Sequence, residues 1–402
     1  MKFEDSNTRR PRWFRRACVA AAATGAAGLV GVVVLPSAGA AGATAYGKER
    51  LQEDVDALKA TGISGVLAEV RTAGNTFAAR GGVADLRSGD AVAWNAYHRV
   101  ASTTKTFVAT VVLQLVGEGR LALDDTVERW LPGLVKGNGN DGAKVTVRQV
   151  LGQTSGVPEY AGVPLETVTS EEGFRRERFR AYRPEQLVAM AMRHRPAFAP
   201  GAGWAYSNTN YVLAGMLIEK VTGTSWEQQV FERITEPLGL RNTFAPGTSS
   251  FLPGPRLSAY KRFVPGGPLV DVTTYVAGHA DHSMISTTKD VNRFYRALLG
   301  GRLLRPAQLA EMKKTVPATP YRAFWRDAGY GLGLMKRRLP CGGWAWFHGG
   351  GNWNAISDNG VTSDGRTAAT VFYATTVGPG QSPVQQIKAS ATLIDRALCA
   401  GQ

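Results

Sequence analysis

The stretch STTKTFVATVVLQLVG, residues 102–117, places apolar side chains on nearly every face of a helix. A helix of this composition, predicted here over Thr103–Gly117, is buried almost all round. Ser102 and Lys105 stand three residues apart at its start, so the hydroxyl and the amine point the same way. A desolvated lysine can lose its proton and serve as the base for a serine nucleophile. The stretch therefore predicts both a core helix and a candidate catalytic pair.

The same tetrapeptide, Ser-Thr-Thr-Lys, recurs at residues 286–289. There Asp290 follows Thr287 by three residues, and this spacing is typical of a helix cap without catalytic chemistry. The helix that follows is predicted to be amphipathic, with Asn292, Arg293 and Arg296 facing outward. Ser102, which opens a buried helix, is therefore the better candidate nucleophile.

The hydrophobic periodicity predicts strands near both ends of the chain and helices with Pro/Gly-rich connections in the middle. The predicted strands are Val66–Val70, Thr76–Ala79, Tyr330–Arg337, Trp344–His348, Trp353–Ser357 and Thr367–Ala374. Further predicted helices are Leu51–Lys59, Pro184–Arg193, Thr209–Val221, Trp226–Ile234 and Pro383–Leu398. We therefore expect an α/β fold of the α+β type, in which helices flank one antiparallel sheet. Residues 45–124 and 285–402 would form the sheet domain, and residues 125–284 an inserted all-helical domain.

Two further motifs contain residue types that can do chemistry. Tyr206-Ser207-Asn208 precedes a predicted helix, and a loop tyrosine can act as a general base if nearby cations lower its pKa. Asn208 could hold a substrate carbonyl through its amide. His348-Gly349-Gly350 ends a predicted strand, where glycines let an extended substrate approach the strand edge closely. Taken singly, a turn with a packed tyrosine and an ordinary strand end are the more common explanations of these motifs.

The N-terminus is typical of an export signal. A basic segment with Arg9, Arg10, Arg12, Arg15 and Arg16 precedes an uncharged stretch, residues 17–35, and a run of small residues, 37–43. This arrangement predicts a secretory signal over residues 1–40, with cleavage after residue 40 or 43. An uncleaved membrane anchor is the alternative, because the apolar stretch is nearly long enough to span a bilayer. We therefore expect a secreted, extracellular protein.

The composition excludes several classes of protein. With 44% apolar residues the chain is not a disordered tail, and with three cysteines it is not a disulfide-dense scaffold. The formal charge is +15; removal of residues 1–40 takes away six basic and two acidic residues, which leaves 41 against 30, or +11. No nucleic-acid-binding motif accompanies this charge, so we expect an anionic cell wall as partner and no nucleic acid. Cys341 and Cys399 remain after cleavage and predict a disulfide, with two separate buried thiols as the alternative.

In this order, the three motifs resemble the serine β-lactamase-fold hydrolases, in particular class C β-lactamases and secreted actinobacterial serine D-alanyl-D-alanine carboxypeptidases. The similar stretches are residues 102–107, 113–116, 119–124, 206–211, 214–220 and 330–334, within a region of about 50–400. The Cys341 and Cys399 pair also fits that group. The resemblance implies a β-lactamase/transpeptidase-like fold, a monomer without metal or cofactor, and a peptide or β-lactam-like small substrate.

The resemblance also implies an acyl-enzyme mechanism. Ser102 would attack the carbonyl while Lys105 and Tyr206 shuttle its proton, and Tyr206 would later activate water. The backbone N–H groups of Ser102 and Gly351 would form an oxyanion hole. Asn208 would hold the substrate amide. The other residues expected to bind substrate are His348, Gly349, Gly350 and Trp353. Independently of the resemblance, Trp204, Trp344, Trp346 and Trp353 are candidates for an aromatic wall, with core packing as the more common explanation.

The chain departs from the carboxypeptidase pattern at several positions. Met335 stands where a basic residue is expected to bind the substrate carboxylate, and Lys336, one residue later, points to the opposite face of the strand. The other departures are Gln153, His282, Ser283, Gly349, Gly351 and the turn Asn352-Trp353-Asn354. A carboxypeptidase or D-peptidase is the leading expectation. The alternatives are an esterase, a D-aminopeptidase or amidase, a β-lactamase, and a non-enzymatic penicillin-binding sensor.

One further cluster, His279-Ala280-Asp281-His282, has side chains that could bind a metal ion. With only two imidazoles it is a weak candidate, and the resemblance implies no metal. The expectation is therefore a metal-free site.

Overall fold

A computed structural model describes residues 46–160, 168–376, 378 and 382–400. The predicted export signal and both of its cleavage positions lie outside these residues. No helix within the described part of the chain is both long and apolar enough to cross a membrane.

The centre of the fold is a nine-stranded antiparallel sheet in the order β2-β1-β15-β14-β12-β11-β10-β9, with β13 paired to β14. N-terminal and C-terminal strands meet in its middle, where Leu67 of β1 pairs with Phe372 of β15. The strands of this sheet are β1 Ile63–Arg71, β2 Thr76–Gly82, β9 Val316–Pro317, β10 Gly329–Tyr330, β11 Met335–Arg338, β12 Trp344–Phe347, β13 Gly350–Asn352, β14 Ala355–Thr362 and β15 Ala368–Thr375. Three small two-stranded sheets contain β3 His98–Arg99, β4 Lys136–Gly137, β5 Asn140–Asp141, β6 Tyr260–Lys261, β7 Val270–Asp271 and β8 Ile285–Ser286.

Helices cover both faces of the sheet. On one face, α1 and α11 bury Leu51, Leu58 and Leu393 against it. On the other face, α2 is buried over most of its length and shares a large core with α4, α6, α7 and α9. The described helices are α1 Lys48–Lys59, α2 Thr104–Gly117, α3 Val127–Trp130, α4 Val147–Gly152, α5 Glu171–Glu177, α6 Pro184–Ala191, α7 Asn208–Thr222, α8 Trp226–Val230, α9 Thr288–Leu299, α10 Pro306–Lys313 and α11 Val384–Cys399.

The mixed fold class and the sheet built from both ends of the chain are confirmed. The buried helix is also confirmed, and it begins at Thr104 after a single 3-10 turn, Ala101–Thr103. Cys341 and Cys399 are joined by a disulfide, with their Cα atoms 5.7 Å apart. The boundaries of the inserted domain stay a prediction, because the core around α2 is shared by helices from both proposed parts.

Two predicted strands are wrong in detail. Residues 330–337 do not form one strand: β10 and β11 are antiparallel partners, with Tyr330 opposite Met335, and the chain reverses between them. Gly333 permits this reversal because it adopts a φ of 74°. Glycine is also needed there for space, because a Cβ would lie 2.4 Å from Ala109 Cβ. The strand predicted over 353–357 begins only at Ala355, because Trp353 and Asn354 form a turn with φ angles of 49° and 66°.

The second Ser-Thr-Thr-Lys motif is a helix cap, as predicted. The Thr287 hydroxyl accepts a hydrogen bond from the Asp290 N–H at the start of α9. Asn292, however, does not face outward. Its amide donates to the carbonyl oxygen of Glu69 at 3.0 Å and accepts from the Thr370 hydroxyl at 2.8 Å, which satisfies polar groups of the central strands.

Candidate active site

Ser102 lies where the backbone of β13 comes closest to the start of α2. A Cβ on Gly350 would lie 2.2 Å from the carbonyl oxygen of Val100 and 2.7 Å from the Ser102 nitrogen, so only glycine fits this position. The preceding residue, Ala101, has a φ of 45°, which is unusual for a residue with a side chain. This tight junction holds Ser102 beside the Gly350–Gly351 backbone.

Lys105 is completely buried and directs its amine at Ser102. The Nζ atom donates to Ser102 Oγ at 3.1 Å, to Asn208 Oδ1 at 2.6 Å and to the Asp281 carbonyl oxygen at 2.8 Å. Burial lowers the pKa of Lys105 to about 8, against the opposing effect of nearby carboxylates. The amine can therefore exist in its neutral, proton-accepting form near neutral pH.

Tyr206 completes the group around the serine. Its ring lies 4.8 Å from Lys105 Nζ, and its hydroxyl is hydrogen-bonded to Ser102. Cations do not lower the pKa of Tyr206 overall: burial raises it well above its usual value, and the contact with Ser102 only partly offsets this. The resting phenol is therefore protonated, and it can donate a proton during the reaction more readily than accept one.

His348 lies beside this group but makes its own contacts. Nδ1 donates to the Gly349 carbonyl oxygen at 2.9 Å, and Nε2 accepts from the Tyr330 hydroxyl at 3.1 Å. Its ring centre is 6.2 Å from that of Tyr206. Burial, assisted by the charge of Lys105, lowers the pKa of His348 to about 3, so the imidazole is neutral. These contacts favour a role in orienting Tyr206 and the strand end.

A cavity of about 350 Å³ opens from Ser102. Of the binding residues predicted from the sequence, Asn208, Gly351 and Trp353 line it, whereas His348, Gly349 and Gly350 do not. Residues that the sequence did not indicate supply most of the remaining wall, among them Tyr160, Phe174, Arg178, Tyr182, Leu187 and Tyr275. Phe174 and Leu187 lie on the short helices α5 and α6 and the others in irregular connections, and nothing local in the sequence indicates that they meet at one cavity.

The predicted aromatic wall is wrong for three of its tryptophans. Trp353 lines the cavity and packs against Phe174, with ring centres 5.0 Å apart. Trp344 and Trp346 do not line the cavity: they pack in the core around α2, and Lys336 Nζ lies 4.3 Å and 5.9 Å from their ring centres. Trp204 packs behind the site, 5.6 Å from the ring centre of Tyr330.

Met335 and Lys336 point to opposite faces of β11, as the one-residue offset requires. Met335 is buried in a cluster with Tyr330 and Phe347, and Tyr206 packs against this cluster. The position expected to bind a carboxylate is therefore apolar and part of the cluster against which Tyr206 packs, and Lys336 on the other face of β11 cannot replace it.

Gln153, which replaces an expected histidine, orders the loop that carries Tyr206 and Asn208. Its Oε1 accepts from the Ser207 N–H at 3.0 Å and from the Asn210 amide at 2.7 Å. Gln153 itself adopts a φ of 62° at the end of α4. The loop conformation thus depends on one buried amide side chain.

The His279 and His282 side chains do not converge on a common point. His279 Nε2 donates to the Tyr182 carbonyl oxygen at 2.5 Å, and His282 Nδ1 donates to the Asp281 carboxylate. Within the described ranges, no group of three His, Cys, Asp or Glu side chains is arranged to hold a metal ion.

Comparisons with known proteins agree with this geometry. The beta-lactamase family model matches residues 51–389. The fold is similar to a D-stereospecific amidohydrolase from Streptomyces sp. (43% identity, TM-score 0.77, covering 85% of this chain and 97% of that one). It is also similar to a D-amino acid amidase from Ochrobactrum anthropi SV3 (28% identity, TM-score 0.73, covering 87% and 97%).

Among curated proteins, penicillin-binding protein 4* of Bacillus subtilis is 33% identical over 151 residues, which are 37% of this chain and 30% of that protein. The match thus covers less than a third of that relative's own length. The family model, by contrast, spans most of the chain, including the candidate catalytic residues around Ser102. The chain therefore belongs to the beta-lactamase family and is a hydrolase of the serine β-lactamase fold.

Proposed function

We propose that the chain is a D-stereospecific amidohydrolase that cleaves the amide bond on the carboxyl side of a large apolar or aromatic D-amino acid. The observation that carries this proposal is the aromatic box formed by Phe174, Tyr275 and Trp353 in the cavity that opens from Ser102. Trp353 links the box, with ring centres 5.0 Å from Phe174 and 6.3 Å from Tyr275. The D-preference rests on the similar amidohydrolase and amidase, which act on D-compounds according to their names.

The proposed reaction proceeds through an ester to Ser102. The neutral Lys105 amine accepts the Ser102 proton as Oγ attacks the amide carbonyl, and the N–H groups of Ser102 and Gly351 stabilise the oxyanion. Tyr206 donates its proton to the leaving nitrogen and regains one from Lys105, which returns Lys105 to its neutral form. Water then attacks the ester. Tyr206 accepts a proton from this water as it passes its own proton to Lys105, and Lys105 returns a proton to Ser102 Oγ, which releases the acid and restores Ser102.

D-Alanyl-D-alanine carboxypeptidase activity, which the sequence resemblance implies, is the second candidate. Arg178 favours it, because this side chain lines the cavity and its buried Nε has no hydrogen-bond partner. A guanidinium placed there can bind the terminal carboxylate of a peptide. Against it stands Met335, which presents an apolar side chain where the carboxypeptidases carry a cation.

We further propose that the enzyme works outside the cytoplasm. The N-terminal export pattern supports this location, and so does the Cys341–Cys399 disulfide, since such bonds are maintained in oxidising compartments. The mass of the protein recovered from culture medium would test the predicted cleavage.

The substrate is tested by measuring kcat/KM for D-Phe amide, L-Phe amide, acetylated D-Ala-D-Ala and a short-chain ester. We expect D-Phe amide to be preferred. Trp353→Asn removes the ring but keeps a residue that tolerates positive φ. It should lower kcat/KM for D-Phe amide by about 10–100-fold, as expected for loss of 1.5–3 kcal/mol of aromatic burial.

Trp344→Ala is the matched control, because Trp344 does not line the cavity and its loss should leave the substrate preference unchanged. Turnover of acetylated D-Ala-D-Ala above that of D-Phe amide would replace the first candidate with the second. No turnover of any amide, with Ser102→Ala equal to wild type, would exclude both.

A further inference from the structure

Asp281 is a buried carboxylate that contacts the catalytic lysine through its own main chain. Its carbonyl oxygen accepts from Lys105 Nζ at 2.8 Å. Its carboxylate accepts from the Tyr160 hydroxyl at 2.8 Å, from the His279 N–H at 3.1 Å and from His282 Nδ1. Asp281 has no exposed surface, so this set of hydrogen bonds fixes both its backbone and its side chain.

Hydrogen bonds also hold the His282 ring beside Asp281. His282 Nδ1 donates to the Asp281 carboxylate, and His282 Nε2 accepts from the Gly278 N–H at 3.2 Å. Burial by itself would raise the pKa of Asp281, but the contacts with His282, Lys105 and Tyr160 hold it below its usual value, and the group stays ionised.

We propose that Asp281 is a positioning residue for Lys105: its carbonyl oxygen aims the amine at Ser102, and its buried charge sets the pH at which the amine becomes a base. The proposal rests on the acyl-enzyme mechanism given above and goes beyond it by assigning a residue outside the three motifs. Asp281 acts through Lys105 and is not placed in contact with substrate.

The charged groups that act on Lys105 are two carboxylates, of which Asp281 has the larger effect. The carboxylate of Glu159 acts in the same direction as Asp281 on the pKa of Lys105. The neighbouring phenols and imidazole are neutral, because burial raises the pKa values of the phenols and lowers that of the imidazole; these groups are Tyr206, Tyr211, Tyr160 and His348. Removal of the Asp281 charge should therefore make the Lys105 ammonium less stable.

The direction of the expected effect follows directly. Lys105 is active as a base only when neutral, so acylation rises with pH through the pKa of Lys105. Loss of the negative charge lowers that pKa, and the acidic limb of the profile moves to lower pH. A nearby opposite charge changes a pKa by about 1–3 units. Since the Asp281 charge raises the pKa of Lys105, a downward shift of about one pH unit is expected for Asp281→Asn.

The test uses the burst of p-nitrophenolate from p-nitrophenyl acetate between pH 5 and 10, which reports acylation of Ser102 without a D-amino acid. Asp281→Asn should shift the acidic limb down by about one unit, whereas Asp281→Glu, which keeps the charge, should leave it near the wild-type position. Asp290→Asn is the matched control: Asp290 is also buried and accepts from neutral donors, Asn242 and Thr243, and its loss should not move the limb.

An acidic limb of Asp281→Asn that coincides with wild type, or that moves to higher pH, would overturn the proposal. If the asparagine variant does not fold, Asp281→Ala carries the same expectation and the same refutation. Because the ester burst does not depend on the D-amide preference, an enzyme that fails on D-Phe amide but shows this shift would refute the substrate proposal alone.

Discussion

Gly350→Ala should displace β13 from the start of α2 and so test how strongly catalysis depends on the position of this strand. The new Cβ would lie 2.2 Å from the Val100 carbonyl oxygen and 2.7 Å from the Ser102 nitrogen. To reach ordinary van der Waals distances, β13 would have to move about 1 Å away from the start of α2, because the clashing atoms belong to the backbone and cannot rotate away. Gly350 has no positive φ, so this clash alone determines the effect.

The retreat would separate the Gly351 N–H from the Ser102 N–H, which together form the proposed oxyanion hole. Displacement of about 1 Å in a catalytic group, or loss of one oxyanion donor, lowers the rate by about 10²-fold or more. We therefore expect acylation by p-nitrophenyl acetate to fall by about 10²-fold. Overpacking should also cost about 1–3 kcal/mol of stability, which chemical denaturation would measure.

Gly349→Ala is the matched control for this prediction. Its Cβ would lie 3.1 Å from Asp358 Oδ1 and 3.6 Å from the Ser357 carbonyl oxygen, and a side-chain oxygen can move by the small amount required. Acylation by this variant should stay within about threefold of wild type. If Gly350→Ala also acylates at near the wild-type rate, the close approach of β13 does not set the oxyanion geometry, and that part of the mechanism is wrong.

Four further measurements test other parts of the structure. In the wild-type enzyme the burst rate should rise with pH through about 8, since burial lowers the pKa of Lys105 to about 8 and only its neutral form is a base; a rate that is flat across this range would argue against Lys105 as the base. Gln153→Ala should lower kcat/KM about 5–100-fold, because the Ser207 N–H loses a buried acceptor worth about 1–3 kcal/mol. Breaking the Cys341–Cys399 bond, which closes a loop of 58 residues, should lower the free energy of unfolding by about 4 kcal/mol, as measured with urea under reducing and oxidising conditions. The mature chain should bind anionic cell walls at low salt and be released at about 1 M, where charges are screened beyond about 3 Å; salt-independent retention would contradict a charge-driven interaction.

The sequence predicted those parts of the fold in which the hydrophobicity of each residue matches its burial. The helix after Ser102 is apolar all round, and it is buried all round. The same local evidence failed where the chain reverses direction inside an apolar run. Leu332 and Leu334 continue the pattern of Tyr330, so the turn between β10 and β11 left no polar signal. The turn at Trp353 was likewise not predicted, because a bulky aromatic residue is typical of a strand.

The catalytic group was predictable because Ser102, Lys105, Tyr206 and Asn208 belong to motifs with fixed spacing. The wall of the cavity was not, because residues such as Phe174 and Tyr275 reach it only through the tertiary arrangement of long connections. Asp281 illustrates the limit most clearly. Its proximity in sequence to two histidines suggested a metal, whereas its carbonyl contact with Lys105 joins residues 176 positions apart.

The first and last described helices, α1 and α11, lie together on the face of the sheet opposite Ser102, joined by an ion pair between Asp54 and Arg396. A fusion partner or a surface linker attached near either of these helices would therefore be separated from the cavity by the full thickness of the sheet. Because the Cys341–Cys399 bond also fastens α11 to the β11–β12 connection, tension applied at that helix would be carried across the sheet edge by a covalent bond. Immobilisation through this face should leave the cavity open to substrate.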